Sequence, residues 1–126
     1  MSDPDDGRAG RPRYDHLRLG ADGERRAGEW YQRSGYQVEH RNWRCPAGEL
    51  DLVLRRGPLL VFCEVKARSS TRWGLPLEAV DRRRVRRLRA AAAEYLRTVR
   101  PAGIAQLRFD VASVLNGRVE VVQDAF

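Results

Sequence analysis

The segment from Glu49 to Lys66 constrains this chain more than any other. Glu49-Leu50-Asp51-Leu52-Val53-Leu54 alternates with period two, as a half-buried strand does, with Leu50, Leu52 and Leu54 on one face and Glu49, Asp51 and Val53 on the other. Arg55-Arg56-Gly57-Pro58 is turn chemistry: Gly57 can take a positive φ and Pro58 fixes its own. Leu59 to Lys66, rich in Leu, Val and Phe, reads as a second strand. With Gly57-Pro58 as a two-residue tip, Arg56 faces Leu59, Asp51 falls opposite Glu64, and Glu49 falls opposite Lys66. Directly opposed residues share a face, with Cβ atoms roughly 4.5–5.5 Å apart. Three carboxylates and one ammonium therefore meet on one patch of sheet, provided the register holds, since a slip of one residue sends alternate side chains to the other face.

Carboxylates held that close repel one another and favour a cation between them. An oxygen-only cluster with open positions suits Mg²⁺ or Mn²⁺, which polarises a phosphoryl oxygen, activates water and steadies a leaving oxygen. Lys66 is the only lysine; the other 23 of the 24 basic side chains are arginine. Arginine serves in most surface and phosphate contacts but does not readily replace a compact ammonium on a flexible stem. Lys66 therefore marks a position for orienting an attacking water and offsetting charge on phosphorus. The alternative is a cross-strand salt-bridge ladder on a solvated face, with Lys66 as counter-ion.

Net charge is +7, and its placement is uneven. Between residues 81 and 100 lie Arg82, Arg83, Arg84, Arg86, Arg87, Arg89, Arg97 and Arg100 against only Asp81 and Glu94, while the rest of the chain is nearly balanced. Asp81 is a good N-cap for a predicted helix from Arg82 to about Val99, ended by Pro101 and Gly103 and carrying an apolar stripe of Val85, Leu88, Ala92, Tyr95, Leu96 and Val99. Such a basic stripe is the electrostatic footprint of a nucleic-acid partner; the alternative is a solvated helix in an arginine-rich chain.

Residues 1–16 are polar, with two prolines and two glycines, and read as a disordered arm; residues 17–126 form one domain. A helix is predicted from about Leu17 to Ser34, with Glu24 on the same face as Ala27 and Tyr31. An inward carboxylate needs a partner, either a metal or water, or a capping or salt-bridge contact. A strand follows over Tyr36–Arg44, where the isolated His40 is a satisfied structural histidine rather than a ligand. Arg68 to Gly74 is a polar loop whose Trp73 either stacks a base or, the favoured reading, anchors the loop to the core. Gln106–Leu115, the Asn116-Gly117 turn and Arg118–Val122 form a closing hairpin. The order α-β-β-β-α-β-β predicts an α/β fold, a mixed β-sheet flanked by helices. Cys45 and Cys63 lack metal-ligand spacing, and Cys63 reads as a small buried thiol. No stretch approaches the ~20 apolar residues of a membrane span, and the N-terminus does not resemble a secretory signal. The expectation is a cytoplasmic protein without a membrane partner.

Asp51 with Glu64-Val65-Lys66 resembles the active site of the PD-(D/E)xK nuclease superfamily, an acidic residue on one strand and Glu-x-Lys on the next. More narrowly, the chain is similar to the YraN-like family of small bacterial proteins, predicted endonucleases related to Holliday junction resolvases. The likeness runs from about Leu19 to Val114. It rests on Leu19-Gly20, Gly23-Glu24, Ala27, Gly35-Tyr36, Arg41-Asn42-Trp43-Arg44, Gly48 to Leu52, Val61 to Arg68, Trp73-Gly74 and Arg108-Phe109-Asp110-Val111. The resemblance implies a restriction-endonuclease-like fold, Asp51 and Glu64 as metal ligands, a backbone carbonyl from Val65, a catalytic Lys66, and Glu24 as an additional carboxylate. By analogy with resolvases it also implies a homodimer. One departure is visible: the family has a lysine early in the long second helix, where this chain has Arg84.

The expected function is Mg²⁺-dependent (or Mn²⁺-dependent) hydrolysis of DNA phosphodiesters, in branched or repair intermediates. Asp51 and Glu64 would bind metal, Lys66 would place the water, and Glu24 or Glu49 would assist. Arg68, Arg82, Arg83, Arg84, Arg86 and Arg87 would hold the nucleic-acid backbone. The rivals are a non-catalytic nucleic-acid-binding protein on a nuclease scaffold, and a module whose basic helix docks on an acidic partner.

Overall fold

The computed structural model describes residues 12–68 and 82–126, with side chains from Gly20 onward in the first segment. Chain order is α1 (Pro12–Arg33), β1 (Gln37–Cys45), β2 (Gly48–Arg56), β3 (Leu59–Arg68), α2 (Arg82–Val99), β4 (Gln106–Leu115) and β5 (Arg118–Val122). The predicted element order and fold class are thus observed. Helix α1 begins at Pro12, five residues ahead of the expected Leu17; a proline at the first helical position lacks an N–H that no helix would pair there. Residues 1–11, Trp73 with its loop, and Asp81 lie outside the described residues.

The five strands form one mixed sheet in the order β1-β2-β3-β4-β5. The β3/β4 pair is parallel and the other three pairs are antiparallel. A parallel pair needs a crossover rather than a hairpin, and the chain between β3 and β4 contains α2. Helix α1 covers one face, where Ala27 and Tyr31 meet Leu52, Leu54, Val61 and Cys63. Helix α2 covers the other, where Leu88, Ala91, Ala92 and Tyr95 meet Leu50, Val53, Leu60 and Phe62. The central strands are buried on both faces, which is why β2 and β3 are so apolar.

Two expectations about sidedness are corrected. Leu50 does not share a face with Leu52 and Leu54 but packs under α2 beside Val53. The change of side falls where Asn42, opposite Asp51, takes a left-handed φ of 51°; the ladder runs from Arg41↔Leu52 to Trp43↔Leu50 across it. Asn tolerates that conformation better than most residues. On α2, Ala91 rather than Val99 completes the buried stripe, and Val99 is exposed at the last turn.

The turns explain the register. Gly57 has a φ of +59°, and Arg56 pairs with Leu59, as the two-residue tip requires. Asn116 and Gly117 have φ of 52° and 80°, the two positive values of the tightest hairpin turn. Gly23 lets α1 settle onto β3: a Cβ there would lie 2.6 Å from the Cβ of Ala67. Glu24 is therefore carried close to the sheet.

Candidate active site

The hairpin register runs from Arg56↔Leu59 to Leu52↔Cys63 and ends there, one pair short of Asp51 and Glu64. Beyond it the Asp51 carboxylate itself bridges the strands, its Oδ2 accepting the Val65 N–H at 2.9 Å. Asp51 thus lies between β2 and β3, buried, rather than standing on a solvated face. Burial pushes its carboxyl up to about 8, the nearby Glu64 adds to this, the Val65 N–H opposes it, and Glu24 contributes a smaller push in the same direction.

Glu64 is 1% exposed, and neither of its carboxylate oxygens has a hydrogen-bond partner. Burying a charged carboxylate unpartnered costs several kcal/mol, so what surrounds it matters. Lys66 Nζ lies 3.5 Å from Oε2, and the Arg84 guanidinium reaches the same oxygen from α2. Both supply opposite charge without well-formed hydrogen bonds. A proton retained by Asp51 would have Glu64 as its acceptor, one of the smaller causes that raise the Asp51 carboxyl.

The structure brings Asp51, Glu64, Val65 and Lys66 together and attaches Arg84 to them. It does not bring Glu49 to Lys66: Glu49 Oε2 takes an Arg44 contact at 3.4 Å, while Lys66 sits beside Ser113 of β4. Glu24 is half-buried on α1, raised above the usual carboxylate range by burial, and hydrogen-bonded to Asn42. Its field reaches Asp51, but among the described residues no three His, Cys, Asp or Glu side chains are grouped to hold a metal ion. The donor set still fits a hard divalent cation, since Mg²⁺ is commonly held by one or two carboxylates and completes its shell with water. The burial of the Asp51 and Glu64 carboxylates side by side, with positive charge from Lys66 and Arg84 drawn to Glu64 Oε2, is the observation that favours a cation there.

Beside this pair a cleft of about 500 Å³ opens between α2 and the β1–β2 turn, lined by Arg44, Gly48, Glu49, Arg84, Arg87 and Leu88. Arg82, Arg83, Arg86 and Arg87 are exposed along α2, and Arg68 ends β3 half-buried. His40 meets the Tyr95 hydroxyl at 2.8 Å through Nδ1, a structural contact. Cys63 is buried, and burial pushes its thiol up. Among the described residues no helix is long and apolar enough to cross a membrane.

Sequence reasoning missed two features. Asn42 kinks β1 and hydrogen-bonds Glu24; the signal was an asparagine inside a strand. Asp110 is fully buried and accepts from Tyr31 Oη at 2.6 Å, Arg108 Nε and Nη2 at 2.9 Å each, and the Asp124 N–H at 3.0 Å. Arg108 also donates to Tyr36 Oη at 3.0 Å. The signal was an Arg-x-Asp pair on an otherwise apolar strand.

Fold and site together define an α/β protein with a mixed five-stranded sheet between two helices and a buried acidic pair flanked by lysine and arginine. Residues 23–114 match the model of the uncharacterised protein family UPF0102. The chain is 52% identical over 100 residues to a UPF0102 protein of Beutenbergia cavernae, covering 79% of this chain and 84% of that one. It is 46% identical over 113 residues to one of Frankia alni (86% and 93% of the two chains) and 44% identical over 115 residues to one of Moorella thermoacetica (86% and 95%). The chain belongs to the UPF0102 family, the YraN-like family of the sequence analysis.

Proposed function

We propose that this protein is a metal-dependent endonuclease of the PD-(D/E)xK type that hydrolyses DNA phosphodiester bonds. The observation that carries the reading is Glu64, a carboxylate 1% exposed that lies beside Asp51 and is held at Oε2 by the positive charges of the lone lysine, at 3.5 Å, and of Arg84. Asp51, Glu64 and the Val65 carbonyl would hold Mg²⁺ or Mn²⁺. The ion would supply charge neutralisation at the phosphoryl group and an activated water. Asp51, fixed by the Val65 N–H, keeps one oxygen oriented. Lys66, about a quarter exposed, is close enough to solvent to orient the attacking water and to offset charge developing on phosphorus. Glu24 assists through Asn42 and Asp51. Arg68 and the exposed arginines of α2 would grip the phosphate backbone, an interaction without sequence preference.

The test is incubation of the purified protein with Mg²⁺, then Mn²⁺, on labelled four-way junction, flap, single-stranded and duplex DNA. Metal-dependent cutting is expected, and the ranking of substrates identifies branched or repair intermediates as the target. Absence of cutting on all four with either metal overturns the nuclease reading.

A specific observation favours a second reading, that of a nucleic-acid-binding protein without catalysis. The Arg84 guanidinium occupies the Glu64 oxygen a cation would use. That reading predicts arginine-dependent DNA binding, weakened steeply by salt and indifferent to Mg²⁺.

A further inference from the structure

Arg84 lies at a boundary. Its guanidinium contacts the buried Glu64 on one side, and its side chain lines the cleft shared with Arg44 and Arg87 on the other. It remains 41% exposed, whereas Glu64 is 1% exposed. A cation on Glu64 and a guanidinium on the same oxygen repel each other at close range, so both cannot hold that position. Arginine is also well suited to bidentate contact with phosphate, and a cleft walled by three arginines attracts that group.

From this we infer that Arg84 is a built-in counter-ion that competes with the divalent cation for Glu64, and that a phosphodiester in the Arg44–Arg84–Arg87 cleft draws it away and so favours metal binding. The inference rests on the reading of Asp51 and Glu64 as a metal pair. Without nucleic acid, Arg84 neutralises Glu64 and holds metal affinity down. When a phosphate enters the cleft, Arg84 turns to it, Glu64 is released, and the cation binds. Metal and nucleic acid then bind with positive coupling, each raising the other's affinity by the same factor. The activity would thereby be confined to protein already engaged with a phosphate backbone.

The test is Mn²⁺ titration, followed by calorimetry and by the electron paramagnetic resonance of free Mn²⁺, with no nucleic acid present. The proteins are wild type, Arg84→Ala, Arg84→Gln, Arg86→Ala and Asp51→Ala, each checked for folding by circular dichroism. Removing a charge-assisted contact from Glu64 should tighten Mn²⁺ binding roughly tenfold in both Arg84 variants. Arg86→Ala, which removes the same charge from an exposed position, should change it less than about twofold. Asp51→Ala should lose the site. A short phosphorothioate oligonucleotide should tighten Mn²⁺ binding to wild type and do so by a smaller factor in Arg84→Gln.

Equal Mn²⁺ affinity in wild type and both Arg84 variants, with Asp51→Ala defective, overturns the role of Arg84 and leaves the metal pair standing. Equal tightening by Arg84→Ala and Arg86→Ala also overturns it, as a general effect of net charge. Failure of every protein to bind Mn²⁺ overturns the metal pair and the inference with it. Arg84→Gln keeps the Cβ–Cδ stem and a neutral polar end should Arg84→Ala fail to fold.

Discussion

At Asp51 two opposed demands meet. Its carboxylate is needed by the Val65 N–H and is pushed towards protonation, first by burial and then by Glu64, up to about 8. The sign of the consequence is fixed: the ordinary carboxyl of the unfolded chain loses its proton near pH 4, whereas folded Asp51 holds it to about 8. Between those values the folded state binds more protons, so stability falls as pH rises. For metal-free protein, chemical denaturation should show wild type losing stability relative to Asp51→Asn from about pH 4 to 8, by at most about 1.4 kcal/mol per pH unit. Parallel pH profiles for the two proteins would refute the shift. The identities of Asp51, Glu64 and Lys66 were legible in the sequence because a Glu-x-Lys beside an acidic strand has a fixed spacing. Burial was not legible. A period-two pattern reports which residues alternate, but the helices on both faces decide whether either face meets water.

Among the elements, the hairpin β2–β3 was the most predictable, since Gly57-Pro58 fixes the tip and the tip fixes every pair back to Leu52↔Cys63. Prediction failed one pair further on. There a side chain replaces the ladder bond, and Leu50 joins the layer under α2 next to a left-handed Asn42 on the neighbouring strand. Neither event has a periodic signature. The seating of α1 on β3 depends on Gly23, where a methyl group would meet the Cβ of Ala67 at 2.6 Å. Gly23→Ala should destabilise the fold by about 1–3 kcal/mol through overpacking, despite the better helix propensity of alanine. Urea denaturation checks this; an unchanged or raised midpoint would show that the helix shifts freely. The span of helix α2 was legible because its apolar spacing and its Pro101 stop agree, although Ala91 rather than Val99 completes its buried stripe. The fate of Arg84 was not, since a charge run does not say which of its members turns inward.

For the whole molecule, the Asp110 network ties α1, β4 and the C-terminal Asp124 together through Tyr31 and Arg108. Asp110→Ala should cost roughly 3–5 kcal/mol, because it leaves Arg108 and the Tyr31 hydroxyl without their partner, and its thermal transition should fall accordingly. The long-range electrostatics are equally testable. Replacing Arg82, Arg83, Arg86 and Arg87 by alanine should lower the slope of log affinity for DNA against log salt by roughly one per arginine in contact; an unchanged slope would move the interface off α2. The central claim concerns chemistry, and one measurement addresses it most directly: DNA cleavage in Mg²⁺ by wild type, Lys66→Ala and Asp51→Ala, with DNA binding measured alongside. Wild type should cut, while both variants still bind DNA, Asp51→Ala without the gain in affinity that Mg²⁺ gives wild type, and cut at least about a hundredfold more slowly. Undiminished cutting by Lys66→Ala, or binding without cutting by all three proteins, would contradict the account.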